Sequence, residues 1–253
     1  MFDDAVVPLL KRELPVAASF SCLTLRTTGI GESLVEERIS PPLTELIAAG
    51  LEVGYCARPG QVDVRLTARG AESAAILTKA EQIARERLAP YVFGTGDDDL
   101  AATIIQLLAN RKQTLALAES CTGGHIANEL TNVPGSSAVL LAALVTYSNE
   151  AKRQLLGVKG ATLEEHGAVS EPVAREMAEG ARRQLKSDFA ISVTGIAGPA
   201  GGTAAKPVGT VFIALAGPFG TIAQHHLNPY DRLTFKQVTA QQALDLLRRK
   251  LLE

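Results

Sequence analysis

The sequence predicts an α/β chain in two parts: a small N-terminal α+β module, then a larger C-terminal α/β/α layered domain with a mixed sheet. Three observations predict it. Short apolar runs of strand length alternate with helical segments through the second half of the chain. The run at 189–193 (FAISV) is almost continuously apolar, as expected for a strand covered on both faces. The last two strand candidates, 209–217 and 221–227, flank Pro218-Phe219-Gly220, a hairpin signal that brings antiparallel pairing into the sheet. At 253 residues and 46% hydrophobic composition, the chain holds enough apolar material for one large or two ordinary domains.

Residues 1–15 place acids ahead of a short apolar patch and show no cleavage pattern, so they read as a remnant or linker segment rather than a secretory signal. Residues 19–28 (SFSCLTLRTT) alternate like a half-buried strand, and Gly29-Ile30-Gly31-Glu32-Ser33 turns the chain into a helix. That helix is expected over 34–39, is interrupted at Pro41-Pro42, and resumes through Ala48 before Gly50. Strands at 51–57 and 62–68 are joined by Arg58-Pro59-Gly60-Gln61, and a helix follows over 71–88. The order of strand, helix, helix, strand, strand, helix over residues 16–93 resembles a KH-like module. Modules of that kind clamp nucleic acid with a GxxG loop, and here Glu32 stands where the second glycine belongs. A structural or oligomerising role is therefore expected rather than nucleic-acid binding, with a homodimer as the expected assembly. Residues 91–100 (YVFGTGDDDL) read as an exposed connector, with Asp97, Asp98 and Asp99 favourable at a helix start.

The second domain is expected over 94–253. A helix at 101–110 precedes the apolar run 115–118, which delivers Glu119-Ser120-Cys121-Thr122-Gly123-Gly124 to a sheet edge. A helix through Leu130 ends near Pro134-Gly135, and Ser136-Ser137 opens a second apolar run, 138–145. Thr146-Tyr147-Ser148-Asn149 leaves that run. With Ser148 as cap, Lys152 sits about one turn into the next helix and near Tyr147. Helical sequence over 162–186 is interrupted before Ser170-Glu171-Pro172, a cap with proline in the first turn. The strand at 189–193 runs into Thr194 and a loop carrying Gly195, Gly198, Gly201 and Gly202, whose backbone N–H groups are able to converge on an anion. Asp231-Arg232 opens the final helix, with Leu244, Leu247 and Leu251 at helical spacing.

Composition narrows the function classes. A formal charge of −2 exerts no global pull on nucleic acid, and no apolar run approaches the length of a membrane span. The expected location is the cytoplasm. Three distant cysteines and four histidines show no ligand spacing, so neither a disulfide framework nor a metal site is expected, and Cys121 reads as a packing residue.

Six segments in order, AESCTGG, VPGSSAV, VTYSNEAK, HGAVSEPVA, TGIAGPAGG and KPVGTV, resemble the C-terminal domain of the competence/damage-inducible CinA family from about residue 97 onward. The N-terminal module resembles the KH-like middle domain of long CinA proteins. The molybdopterin-binding-like domain that precedes it there, associated with ADP-ribose pyrophosphatase activity, is expected to be absent. The resemblance implies a nicotinamide mononucleotide deamidase without a cofactor, which hydrolyses the carboxamide to nicotinic acid mononucleotide and ammonia. It also implies active positions at Ser120, Ser137, Tyr147, Lys152, Thr194 and Arg232. Tyr230 departs from the family pattern, which has glycine before the Asp-Arg pair. Amide hydrolysis needs an activated nucleophile, a proton for the leaving nitrogen, and donors for the oxyanion. The expected assignment is Ser137 as nucleophile, Lys152 as base and Tyr147 as its orienting or relaying partner. Ser120, Thr122, Gly123 and Thr194 would position the substrate, and the glycine loop with Arg232 would take the phosphate. A non-catalytic nucleotide-binding module and a nucleic-acid-associated protein are the competing readings.

Overall fold

A computed structural model describes residues 2–13 and 20–253, the side chain of Lys11 excepted. Ser19 and the expected start of the first module at residue 16 lie outside the described residues. A π-helical turn, Phe2–Val6, leads into α1 (Val7–Glu13). The chain divides into two compact units, the first running to Gly96 apart from the turn Arg58–Gln61, and the second comprising that turn and Asp97–Glu253.

The first unit holds β1 (Phe20–Thr28), α2 (Glu32–Ala48), β2 (Leu51–Arg58), β3 (Gln61–Arg69), α3 (Ser73–Leu88) and β4 (Val92–Thr95). Its sheet has the order β2-β3-β1-β4. Two expectations are corrected here. The helix does not break at Pro41-Pro42, because both prolines lie inside one continuous α2. Val35, Ile39 and Leu43 are buried at successive i+4 positions, so a single apolar stripe spans the prolines and offsets the two missing N–H donors. The supposed connector at 91–100 also contains a strand. β4 pairs antiparallel with β1, with Leu25 opposite Thr95, and its partner lies some seventy residues upstream where no local pattern announces it. Asp99 meets expectation, its Oδ1 accepting from Ala102 N–H at 3.0 Å as an N-cap.

The second unit comprises α4 (Leu100–Arg111), β5 (Leu115–Glu119), α5 (His125–Thr131), β6 (Leu140–Val145), α6 (Asn149–Leu156), α7 (Gly160–His166), α8 (Glu171–Leu185), β7 (Phe189–Gly195), β8 (Thr210–Gly217), β9 (Gly220–Leu227) and α9 (Arg232–Leu252). Its sheet has the order β6-β5-β7-β8-β9. The first three strands are parallel and the last two antiparallel, giving the mixed sheet between helices. Ala116, Ala118 and Ala190 pack on one face against Leu156 of α6 and Val173, Met177 and Ala181 of α8. The alternate residues of β5 and β7 face the other side, where α9 packs on β7 and β8. No described helix is long and apolar enough to cross a membrane.

Small side chains set the spacing between α6 and α8. A Cβ on Gly180 would overlap the carbonyl oxygen of Leu156 at the end of α6. Gly180→Ala is expected to lower unfolding stability by about 1–3 kcal/mol, the usual cost of overpacking, despite alanine's better helix propensity. Urea denaturation checks this, and an unchanged midpoint would show that α6 shifts without cost.

Candidate functional site

The parallel strands β5, β6 and β7 end on one edge of the sheet, and the site is built there. Glu119 lies opposite both Val145 of β6 and Val193 of β7. Ser120 is the next residue, on the same face as Ala116 and Ala118, toward α6 and α8. The buried Ser192 hydroxyl donates to the Ala174 carbonyl of α8 at 2.6 Å, and two residues on, Thr194 Oγ1 donates to the Ala168 carbonyl at 2.8 Å. Ser120 and Thr194 therefore share a face at neighbouring strand ends.

Helix α6 brings the cation. Ser148 caps it, its Oγ accepting from Ala151 N–H at 3.0 Å, so the cap expected from the sequence is present. Lys152 and Leu156, one turn apart, are its buried residues. Lys152 is only 1% exposed. Its Nζ lies 3.0 Å from Ser120 Oγ and donates to the Thr146 carbonyl at 2.7 Å. Desolvation pushes the Lys152 pKa below its ordinary value, and the Cys121 thiol beside it opposes the shift more weakly. A buried amine against a hydroxyl, without an ion-pair partner among the described residues, is an arrangement able to exchange a proton with that hydroxyl.

Glu119 holds the intervening loop. The carboxylate is 1% exposed and accepts from Gly124 N–H at 2.9 Å, Ile126 N–H at 3.3 Å and Ala127 N–H at 2.9 Å. Three donors at the start of α5 are satisfied by one side chain, which fixes the turn from Ser120 to Gly124. Gly123 and Gly124 take φ values of +61° and +91° there, a region that side chains disfavour. Cys121 lies in this turn, and burial pushes its thiol up to about 12.

Around Ser120 and Lys152 opens a pocket of ≈ 290 Å³ that also takes in Tyr147, Thr194, Arg232 and the glycine loop at Gly195, Gly198 and Gly201. The structure thus brings together five of the six positions implied by the resemblance. Ser137 is the exception. It is exposed in the 3-10 turn Ser136–Ala138 that precedes β6, whereas Tyr147 and Lys152 follow that strand. Six strand residues separate the two ends by roughly 20 Å, so the serine beside Lys152 is Ser120 and the expected Ser137–Lys152 pair does not form. Tyr147 does not pair with the lysine either. Its hydroxyl accepts from Arg232 Nη2 at 2.9 Å, while Arg232 Nη1 donates to the Gly198 carbonyl at 2.8 Å. Arg232 ties the loop after β6 to the loop after β7, with Tyr230 two residues before it.

Other expected contacts sit outside the pocket lining. Thr122 is fully buried and its Oγ1 has no hydrogen-bond partner, and Gly123 and Gly202 do not reach the cavity. Gly198 and Gly201 of the loop take φ values of +70° and +93°, and three of the loop glycines are constrained by packing. A Cβ on Gly195 would stand 2.8 Å from the Thr210 carbonyl oxygen, on Gly198 2.5 Å from Val208 Cγ1, and on Gly202 2.7 Å from Val208 N. These three let the loop lie flat against residues 207–210. Sequence reasoning missed Asn149, which lines the pocket one turn before Lys152, and the Thr146 carbonyl. The i, i+3 spacing would have revealed Asn149; a backbone oxygen leaves no sequence signal.

Residues 97–251 match the family model described as the CinA C-terminal domain, and residues 23–94 match the damage-inducible protein CinA KH domain. The chain belongs to the CinA family. It is 46% identical to a CinA-like protein of Parasynechococcus marenigrum (strain WH8102), over 100% of this chain and 61% of that protein. With a CinA-like protein of Geobacter sulfurreducens the identity is 45%, again over 100% of this chain and 61% of the relative. The chain thus spans about three fifths of the length of the curated relatives it matches. Among solved structures, the competence/damage inducible protein CihA from Agrobacterium tumefaciens superposes with a TM-score of 0.58 at 43% identity, covering 61% of this chain and 94% of that one.

Two outcomes follow from the geometry of this CinA site. Iodoacetamide at neutral pH is expected to label the exposed Cys22 and Cys56 and to spare Cys121, as peptide mass spectrometry would read. Glu119→Gln, which puts an amide donor against backbone donors, is expected to cost about 1.5–3 kcal/mol of stability. An unchanged thermal midpoint would show that the carboxylate is not what holds the loop.

Proposed function

We propose that the chain is an amidohydrolase that converts nicotinamide mononucleotide to nicotinic acid mononucleotide and ammonia, with Ser120 as nucleophile and Lys152 as its base. The observation that carries this reading is the buried Lys152 amine 3.0 Å from Ser120 Oγ. Neutral Lys152 takes the Ser120 proton as Oγ attacks the carboxamide carbon. The lysine then gives that proton to the departing nitrogen, the C–N bond breaks, and ammonia leaves an acyl ester on Ser120. Water attacks the ester, its proton passes through Lys152 to Ser120 Oγ, and the free acid departs.

The pocket's charge supports the substrate class. Among the described residues that line it, Arg232 is the fixed cation beside the Lys152 amine, which favours a substrate carrying an anionic group. Arg232, held by Tyr147 and Gly198, keeps further N–H donors for a phosphate. Membership of the CinA family agrees with a nucleotide amide as substrate.

Ammonia release from nicotinamide mononucleotide by the purified chain tests the reading. Ser120→Ala and Lys152→Met are each expected to lower kcat/KM by about a thousandfold or more, whereas Ser137→Ala stays within a few-fold of the unaltered chain. The opposite ranking would return the nucleophile to Ser137. Tight nucleotide binding with no ammonia would make the chain a binding module instead.

The lysine must be neutral to act as base, so activity is expected to rise with pH through its depressed pKa and then level off. The same depression links to folding. Between the lowered folded value and the ordinary unfolded one, the unfolded chain binds more protons, so Lys152 makes stability rise with pH across that window. A pH–rate profile with no ascending limb would sink the base assignment.

A further inference from the structure

We infer that Thr194, fixed by the Ala168 carbonyl, is the residue that selects a carboxamide over the corresponding carboxylate at this site. The inference rests on the proposed amide substrate and adds to it the group that reads the amide nitrogen. Thr194, the penultimate residue of β7, follows the register pair Glu119 and Val193 as Ser120 follows it at the end of β5, and both line the same pocket. Neighbouring strands lie about 4.8 Å apart, so the two hydroxyls flank one small group, with Lys152 on the same side.

Donor and acceptor accounting decides what each group offers. A threonine hydroxyl has one proton and two lone-pair directions. Thr194 is 1% exposed and its proton is directed at the Ala168 carbonyl, 2.8 Å away. Toward the pocket it therefore presents an acceptor. The substrate's amide NH₂ is a donor and meets it favourably. A carboxylate oxygen in the same place sets lone pairs against lone pairs, or makes the hydroxyl turn away and leave the buried Ala168 carbonyl unsatisfied. Asn149 offers both a donor and an acceptor and so does not discriminate. Tyr147 already accepts from Arg232, and Lys152 donates to the Thr146 carbonyl and faces Ser120 Oγ. Thr194 thus turns the amide nitrogen to its own side of the acyl carbon and disfavours the acid once it has formed.

Calorimetric titration of the full chain carrying Ser120→Ala, which removes the nucleophile, tests this without turnover. The probes are nicotinamide mononucleotide and nicotinic acid mononucleotide. The expected result is about tenfold tighter binding of the amide, a preference lost on adding Thr194→Val and kept on adding Thr194→Ser, which retains the hydroxyl. Equal weakening of both nucleotides by Thr194→Val would assign the residue a purely structural role and overturn the inference, as would the absence of any amide preference or of any binding. Thr194-dependent preference in a chain that releases no ammonia supports the inference while removing the hydrolytic reading.

Discussion

A lysine amine buried without a carboxylate partner among the described residues is the constraint around which the C-terminal unit is arranged. Removing a cation from water costs several kcal/mol unless the protein replaces the lost hydration or the group gives up its proton. Lys152 has two replacements, the Thr146 carbonyl and the Ser120 hydroxyl, and its pKa is lowered. Each depends on a separate element being in place. Thr146 is set by its N–H bond to the Glu119 carbonyl at 2.8 Å, Ser120 by the end of β5, and Lys152 itself by the Ser148 cap and the close seat of α6 on α8. The reactivity of the serine and the packing of two helices are thus one problem.

Glu119 illustrates how a buried carboxylate is accommodated by backbone donors. Its two oxygens take three backbone N–H groups at the start of α5, where the orphan donors and the helix dipole both favour a negative group. The carboxylate spends its hydrogen-bonding capacity on the loop, which leaves the chemistry to the residue after it. The glycines divide in a similar way. Gly123 and Gly124 are present for positive φ, Gly195 and Gly202 because a Cβ would strike the segment 207–210, and Gly198 for both reasons. Gly195 and Gly198 line the pocket with Lys152, and Arg232 fastens onto the loop through the Gly198 carbonyl.

Ser120 and Ser137 show how far a sequence is legible. Both stand in hydroxyl-rich turns beside glycine, and nothing local to either says which one meets a lysine further along the chain. The choice is made by strand direction. Because β5 and β6 are parallel, the residues after both strands share one edge and the residue before β6 is left at the other. Pro41-Pro42 and the strand at Val92–Thr95 misled for a related reason, since a buried stripe and a distant partner outweighed the local signals.

By itself the sequence determined the α/β class, the mixed sheet with its closing hairpin, the two capped helix starts at Asp99 and Ser148, and the order of segments that marks the CinA family. Those properties are carried by periodicity, caps and turn chemistry, which act over a few residues. The tertiary structure alone decided that Lys152 is buried, that Ser120 is its partner, that Tyr147 holds Arg232, and that Thr194 turns its proton toward Ala168. Each of these is a contact between strand ends or helices far apart in the chain, and register and helix packing, not local propensity, bring such groups within hydrogen-bonding distance.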